Sequence, residues 1–202
     1  MADKSRRTLR QARAQGTVDA IVDAAFQLLE ADGIEKLTTN HVAERAGVSI
    51  GTLYQYFASK QDILAALAQR RAGAVRDAIA ATIIAKPDVS SVRPIVRALM
   101  HSFEGSPATR QALLDAMFLR GGDSVLAQHH GAFLAAIAGR ARLQLDLTAE
   151  SAFVLTHAPV ALLRAAAGEP ELGLDPVRLE DEFVRLMEAY IGALVSVPRG
   201  ES

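Results

Sequence analysis

Gly47 stands between two runs that read as helices. The segment around it, TTNHVAERAGVSIGTLYQYFASK from Thr38 to Lys60, constrains the fold more than any other part of the chain. Val42, Ala43 and Ala46 recur at the three-to-four-residue spacing of a buried helical face, with Thr39 positioned to cap that helix through its hydroxyl. A glycine at position 47 can take the left-handed conformation of a tight exit, and Ser49 is placed to cap a second helix of about two turns. In that helix Leu53 and Phe57, four apart, point inward. Thr52, Gln55 and Tyr56 point to solvent, and Tyr54 follows at the edge. The layout is a helix-turn-helix.

A short helix that presents hydroxyls, an amide and phenols, with Gly51 permitting close approach, suits the major groove of duplex DNA. Lys60 adds a cation just past it. The stretch Gly47 to Lys60 closely resembles the DNA-binding segment of TetR-family transcriptional regulators, whose most recognisable pattern is GxxxGTLYxYFxSK, and the likeness covers about residues 14 to 75. The resemblance implies roles position by position. Thr38 and Thr39 face phosphates, Ser49, Ile50, Gly51 and Thr52 lie at the groove, and Tyr54, Tyr56 and Lys60 lie on the DNA backbone, with Gln55 in reach of a base edge. Ile50 departs from the polar or small residue often found there, which leaves contact with a thymine methyl or no direct readout.

The chain has 202 residues, half of them hydrophobic, enough for one sizeable core or two small units sharing an interface. It contains no cysteine, which excludes disulfides, thiolate metal sites and cysteine nucleophiles. No run approaches the 18 uncharged apolar residues expected of a membrane span, and the polar, basic amino terminus lacks the apolar core of a signal peptide. The expectation is therefore a soluble, cytoplasmic protein with no membrane partner. The net charge of −1 hides an asymmetry: ten basic against eight acidic residues through Arg71, then twelve against fifteen. Lys4, Arg6, Arg7, Arg10 and Arg13 crowd the first 16 residues, as an arm along DNA or as a solvated end.

Helical periodicity dominates from Thr17 onward, without the alternation of a hairpin, so the expected fold class is all-α. The first helix buries Val18, Ile21, Val22, Ala25, Phe26 and Leu29 and exits at Asp32-Gly33. A long helix opens at Ser59 or Lys60, carries Ile63, Leu64, Leu67, Ala74, Val75 and Ile79 on its face, and ends near Lys86-Pro87. Further helices are expected over residues 89–102, softly interrupted by Pro94, then 108–119, 123–142, 149–167 and 176–197. The segment 149–167 is apolar nearly all round and should be covered on more than one side. Three parts result: a flexible basic arm over 1–15, a helix-turn-helix domain over 16–70, and an effector-binding and dimerisation domain over 71–202.

One short helix reads only a few base pairs, so useful specificity argues for a homodimer whose recognition helices sit about 34 Å apart on a near-palindromic operator in double-stranded DNA. The last two helices offer the apolar faces for a four-helix bundle, with Phe153, Val160, Leu163, Phe183, Leu186, Met187, Tyr190 and Leu194 as interface candidates. The resemblance further implies a small-molecule effector whose binding moves the long helix and releases DNA. Candidates for its pocket are Met100, His101, Phe103, Met117, Phe118, Phe133, Phe153, His157 and Arg164, a set that favours a largely apolar or aromatic ligand. Repression is the mode the family most often uses, and activation is the alternative. An α-helical bundle enzyme and a protein-binding adaptor are rivals. His129 and His130 are adjacent and no HExxH, P-loop, GxGxxG or GxSxG occurs, so no catalytic residue, metal ligand or cofactor is expected.

Overall fold

Leucine, valine and alanine at helical spacing build eight α-helices among the residues that the computed structural model describes, which are 2–85, 92–101, 105–118, 127, 130–131 and 148–195. The fold is all-α, with no strand among those residues. Helix α1 spans Ala2–Lys36, α2 Thr39–Arg45, α3 Ile50–Tyr56 and α4 Lys60–Ala85. Then come α5, Val92–His101, α6, Pro107–Phe118, α7, Ala149–Gly168, and α8, Pro176–Val195. A 3-10 turn, Pro170–Leu172, lies in the loop between the last two. The helix expected over 123–142 falls largely outside the described residues.

α1 begins at Ala2 rather than Thr17, so the backbone of residues 2–15, expected as an arm, is helical and continuous with the rest. Its exit is where the sequence placed it: the backbone departs from helical geometry at Gly33, φ 77° and ψ 175°. α1 buries Ile21, Val22, Ala25 and Leu29, with Val18 and Phe26 packed beside them. From α4 come Ile63, Leu64, Leu67 and Val75, whereas Ala74 is exposed. Pro94 does not interrupt α5, because it is the third residue of the helix, in the first turn, where no intrahelical bond from its nitrogen is needed.

A single hydrophobic core runs from α1 through α2, α3 and α4 into Leu113, Leu114, Ala116 and Met117 of α6 and Val160 of α7. Fully burying one such leucine is worth about 1.5–3 kcal/mol, so this shared core binds the helix-turn-helix strongly to the helices that follow. The boundary expected near residue 70 falls inside α4 and is not marked by a break in packing. A second, smaller core joins Val92 and Val96 of α5 to Phe183 and Val184 of α8. Ion pairs cover it: Arg93 meets Glu180 at 3.2 Å and Asp181 at 2.7 Å, and Arg97 meets Glu180 at 2.7 Å.

α7 starts at Thr148, whose hydroxyl accepts the Ser151 amide at 3.2 Å. It buries Ser151, Ala152, Thr156, Pro159 and Val160 on one side and leaves Phe153, Val154 and Leu162 exposed, so among the described residues its buried face is one-sided. Among the described residues α7 is the one helix long and apolar enough, by length and composition, to cross a membrane, with a mean hydropathy of 1.2. It also carries Arg164, ion-paired to Asp115 of α6 at 2.7 Å. Two residues expected at a dimer interface are consumed inside the chain. Val160 and Phe183 are 2% and 5% exposed, because the cores of this one subunit already cover them. Leu163, Met187, Tyr190 and Leu194 are half-buried, and Phe153 and Leu186 are open to solvent.

Candidate nucleic-acid interface

The helix-turn-helix is framed by caps at every end. Thr38, in extended conformation, is the N-cap of α2, and its hydroxyl accepts the His41 amide at 3.2 Å. The sequence reading assigned that cap to Thr39, one residue late; Thr39 is the first helical residue, and its free hydroxyl instead lies 3.2 Å from the Tyr54 hydroxyl on α3. At the other end, Val48 N–H donates to Ala43 O at 3.0 Å and Gly47 N–H to Glu44 O at 3.1 Å. That paired closure requires a left-handed residue between them, and Gly47 supplies it at φ 67°. Ser49 then caps α3 by accepting the Thr52 amide at 3.0 Å, while its Oγ also lies 2.8 Å from Thr52 Oγ1.

α3 has the two faces expected of it. Leu53 and Phe57 are buried with Val42 and Ala43 in the core. Ile50, Gly51, Tyr54, Gln55 and Tyr56 are exposed, and Thr52 is half-buried beside Ser49. Ile50, Tyr54 and Tyr56 are large apolar surfaces left in water, 39%, 53% and 39% exposed. Together with Thr38 and Ser49, which are also exposed, they make one continuous surface of hydroxyl, amide and aromatic groups on rigid, capped helices. Such a surface can donate to and accept from base edges and phosphates without first reorganising.

Lys60 is half-buried, and its ammonium donates to Ile34 O at 3.2 Å, just beyond the Gly33 break in α1. Its charge therefore ties the first turn of α4 to the exit of α1. His41 Nδ1 lies 3.2 Å from Lys36 O in the same region. Arg70 of α4 pairs with Asp23 of α1 at 2.6 Å, and the Arg71 guanidinium sits 4.4 Å from the Phe26 ring centroid. Local spacing could not have revealed these links, since the partners lie 5 to 47 positions apart.

The effector candidates are dispersed. Phe103 and Phe133 lie outside the described residues. Met100 lines a small open cleft of about 10 Å³ with Val96, Leu99, Pro159, Leu163 and Phe183. Met117 belongs to the main core at 2% exposure. The Arg164 guanidinium lies 4.9 Å from the Phe118 ring centroid and is held by Asp115. His101 is exposed, with Nδ1 2.8 Å from Arg97 O. Phe153 stacks on His157 at 3.9 Å, and Thr156 Oγ1 lies 2.9 Å from Nδ1 of both His157 and His130. Burial holds the His157 pKa below its ordinary value, opposed in part by the bond to the Phe153 carbonyl and helped to a smaller extent by the nearby His130. Among the described residues no three of His, Asp and Glu gather as a metal site.

A capped helix-turn-helix that shares its core with a bundle of longer helices is an arrangement found in DNA-binding proteins. Residues 21–67 match the model of the bacterial regulatory proteins of the tetR family, so this part of the chain is similar to that family. A fatty acid metabolism regulator protein of Bacillus subtilis is 38% identical over 53 residues, 26% of this chain and 27% of that protein. The regulator BetI of Rhizobium meliloti is 32% identical over 96 residues, 47% of each chain. The chain thus spans less than half the length of these relatives. The fold extends further: the crystal structure of the TetR family repressor AlkX from a Dietzia strain, implicated in biodegradation of n-alkanes, superposes with a TM-score of 0.62 at 22% identity. That likeness covers 89% of this chain and 98% of AlkX.

Proposed function

We propose that the chain binds a near-palindromic operator in double-stranded DNA as a homodimer, represses transcription from it, and is released by a small, largely apolar molecule. The observation that carries this reading is the exposed face of α3, held between the Ser49 cap and the buried Leu53 and Phe57. In it Thr38, Thr39, Tyr54 and Tyr56 meet phosphates, Ser49, Ile50, Gly51 and Thr52 enter the groove, and Gln55 reads a base edge. Lys60 contributes its charge near the backbone while bracing α1. Residues 16–70 act as the reading head and 71–202 as the effector and dimerisation part, and the protein works in the cytoplasm, where the DNA is.

Dimerisation is supported by the apolar side chains that α7 and α8 leave exposed, Phe153, Val154, Leu162 and Leu186. An apolar effector is supported by the six apolar residues around the α5–α7–α8 cleft. With a volume of about 10 Å³, room for a single water at most, that cleft is far below the roughly 300–1,000 Å³ of ligand sites, so binding would require the helices to part, the kind of movement that can alter the spacing of two reading heads. Selection of random duplex DNA on the purified protein tests the reading. A near-palindromic consensus retained at moderate salt is expected, and retention that has no consensus and vanishes as salt rises overturns it.

A further inference from the structure

Where α1 meets the turn before α6, a carboxylate from the head region is seated on a backbone amide of the second part of the chain. Both oxygens of Glu30 accept from the Ser106 N–H, at 3.1 and 3.2 Å, across 76 positions of sequence. Ser106 in turn caps α6: its Oγ accepts the Thr109 amide at 3.2 Å and lies 3.0 Å from Thr109 Oγ1, and its carbonyl accepts the Arg110 amide at 2.9 Å. Thr109 is fully buried, so the cap is anchored in the core. The approach of Glu30 depends on Gly105. Its φ of 138° is one that side chains rarely adopt, and a Cβ there would collide with Glu30 Oε1 and sit 3.0 Å from Thr109 Cγ2.

α1 and α6 also share the main apolar core, to which Leu28 and Leu29 of α1 and Leu113 and Met117 of α6 belong. Apolar packing is non-directional and leaves relative sliding of two helices weakly specified, whereas a charge-assisted hydrogen bond fixes distance and direction. We propose that Glu30, seated on Ser106 beside Gly105, is a pin that fixes the register of α6 against α1 and so sets the orientation of the reading head relative to the helices that follow. It is a positioning residue: it lies outside the α2–α3 surface and touches no proposed DNA contact. A movement at the amino end of α6 is carried to α1 through this bond. Its consequence for operator binding rests on the function proposed above, but the geometry does not.

The test uses the full chain, which has no cysteine of its own, so that two introduced cysteines take spin labels uniquely. Labels at Glu44→Cys on α2 and Glu188→Cys on α8, both exposed positions, report the head-to-bundle distance, with labelled protein diluted in unlabelled. In the Glu30→Ala and Gly105→Ala backgrounds the distance distribution should broaden or shift, while Glu35→Ala, which removes an exposed acid from the same helix, leaves it unchanged. Operator affinity should fall about 3- to 10-fold in the first two alone. Should Gly105→Ala fail to fold, Glu30→Ala still decides. Unchanged distances in folded Glu30→Ala protein would overturn the pin. Wild-type protein that selects no operator would remove the proposed function and leave the distances to judge the pin by themselves.

Discussion

The hydroxyl of Tyr54 on α3 lies 3.2 Å from that of Thr39 on α2, so two residues expected to contact DNA separately also join the two helices of the reading head. Thr39 is free to do so because Thr38 has taken over the cap. Removing the phenol hydroxyl in Tyr54→Phe should weaken binding to all DNA sequences alike, by about 2- to 10-fold, since one net hydrogen bond is at stake and no base contact is lost. Titration of matched and mismatched duplexes by fluorescence anisotropy measures this. A change confined to one base position would assign Tyr54 to direct readout instead.

Gln55 and Thr52 differ from Tyr54 in what surrounds them. Gln55 is exposed, whereas the Thr52 hydroxyl is already 2.8 Å from Ser49 Oγ. Gln55→Ala should therefore relax the consensus at one or two positions, at about 1–3 kcal/mol of lost discrimination. Thr52→Ala should both change preference and loosen the cap. Repeating the DNA selection with each variant and comparing base frequencies separates the two.

Ser49→Ala removes the acceptor for the Thr52 amide at the start of α3. A lost N-cap costs about 0.5–2 kcal/mol, which in a chain of this size lowers the melting temperature by roughly 1–8 °C. Thermal denaturation followed by circular dichroism reads it. Ser49→Asp should restore most of the loss, because aspartate is an equally good cap.

The shared core makes a cooperative prediction. Leu53 in α3 and Leu113 in α6 are both fully buried in it. Leu53→Ala and Leu113→Ala should each destabilise by about 2–5 kcal/mol and shift the same single unfolding transition. Two separated transitions, only one of which responds to each variant, would mean that the head and the following helices unfold independently.

Glu180 links α8 to α5 and should give stability a defined pH dependence. Its side chain is 12% exposed, and the bond from Arg97, with a smaller contribution from Arg93, holds its pKa below the ordinary 4.5 despite opposing burial. The adjacent Asp181 also pairs with Arg93. Because the folded pKa is the lower one, this stabilisation is fully present above the unfolded pKa and is lost as pH falls through the folded value. The melting temperature of the wild type should exceed that of Glu180→Gln at pH 7, and the gap should close as the pH falls below the ordinary 4.5 and through the lowered folded value.

Much of the reading head was legible in the residues themselves. The turn at Gly47, the cap at Ser49 and the inward pair Leu53 and Phe57 are all set by contacts within a few positions, where spacing alone determines which side chains meet. Even there, Thr38 and Thr39 compete for the same cap, and two adjacent hydroxyls look alike in a sequence. The effector candidates fared differently, since Met117 and Phe153 are both apolar helical residues, and pattern could not say that one is core and the other exposed.

By itself, then, the sequence determined the all-α class, the helix-turn-helix and its exposed face, because helical periodicity and capping are local and repeat every turn. Only the tertiary structure decided that Val160 and Phe183 are consumed within the subunit, that Lys60 braces Ile34, and that Glu30 rests on Ser106. These depend on how helices far apart in the chain cross one another. Apolar burial drives that crossing without specifying partners, and the directional bonds that then fix it form between residues whose separation leaves no periodic trace.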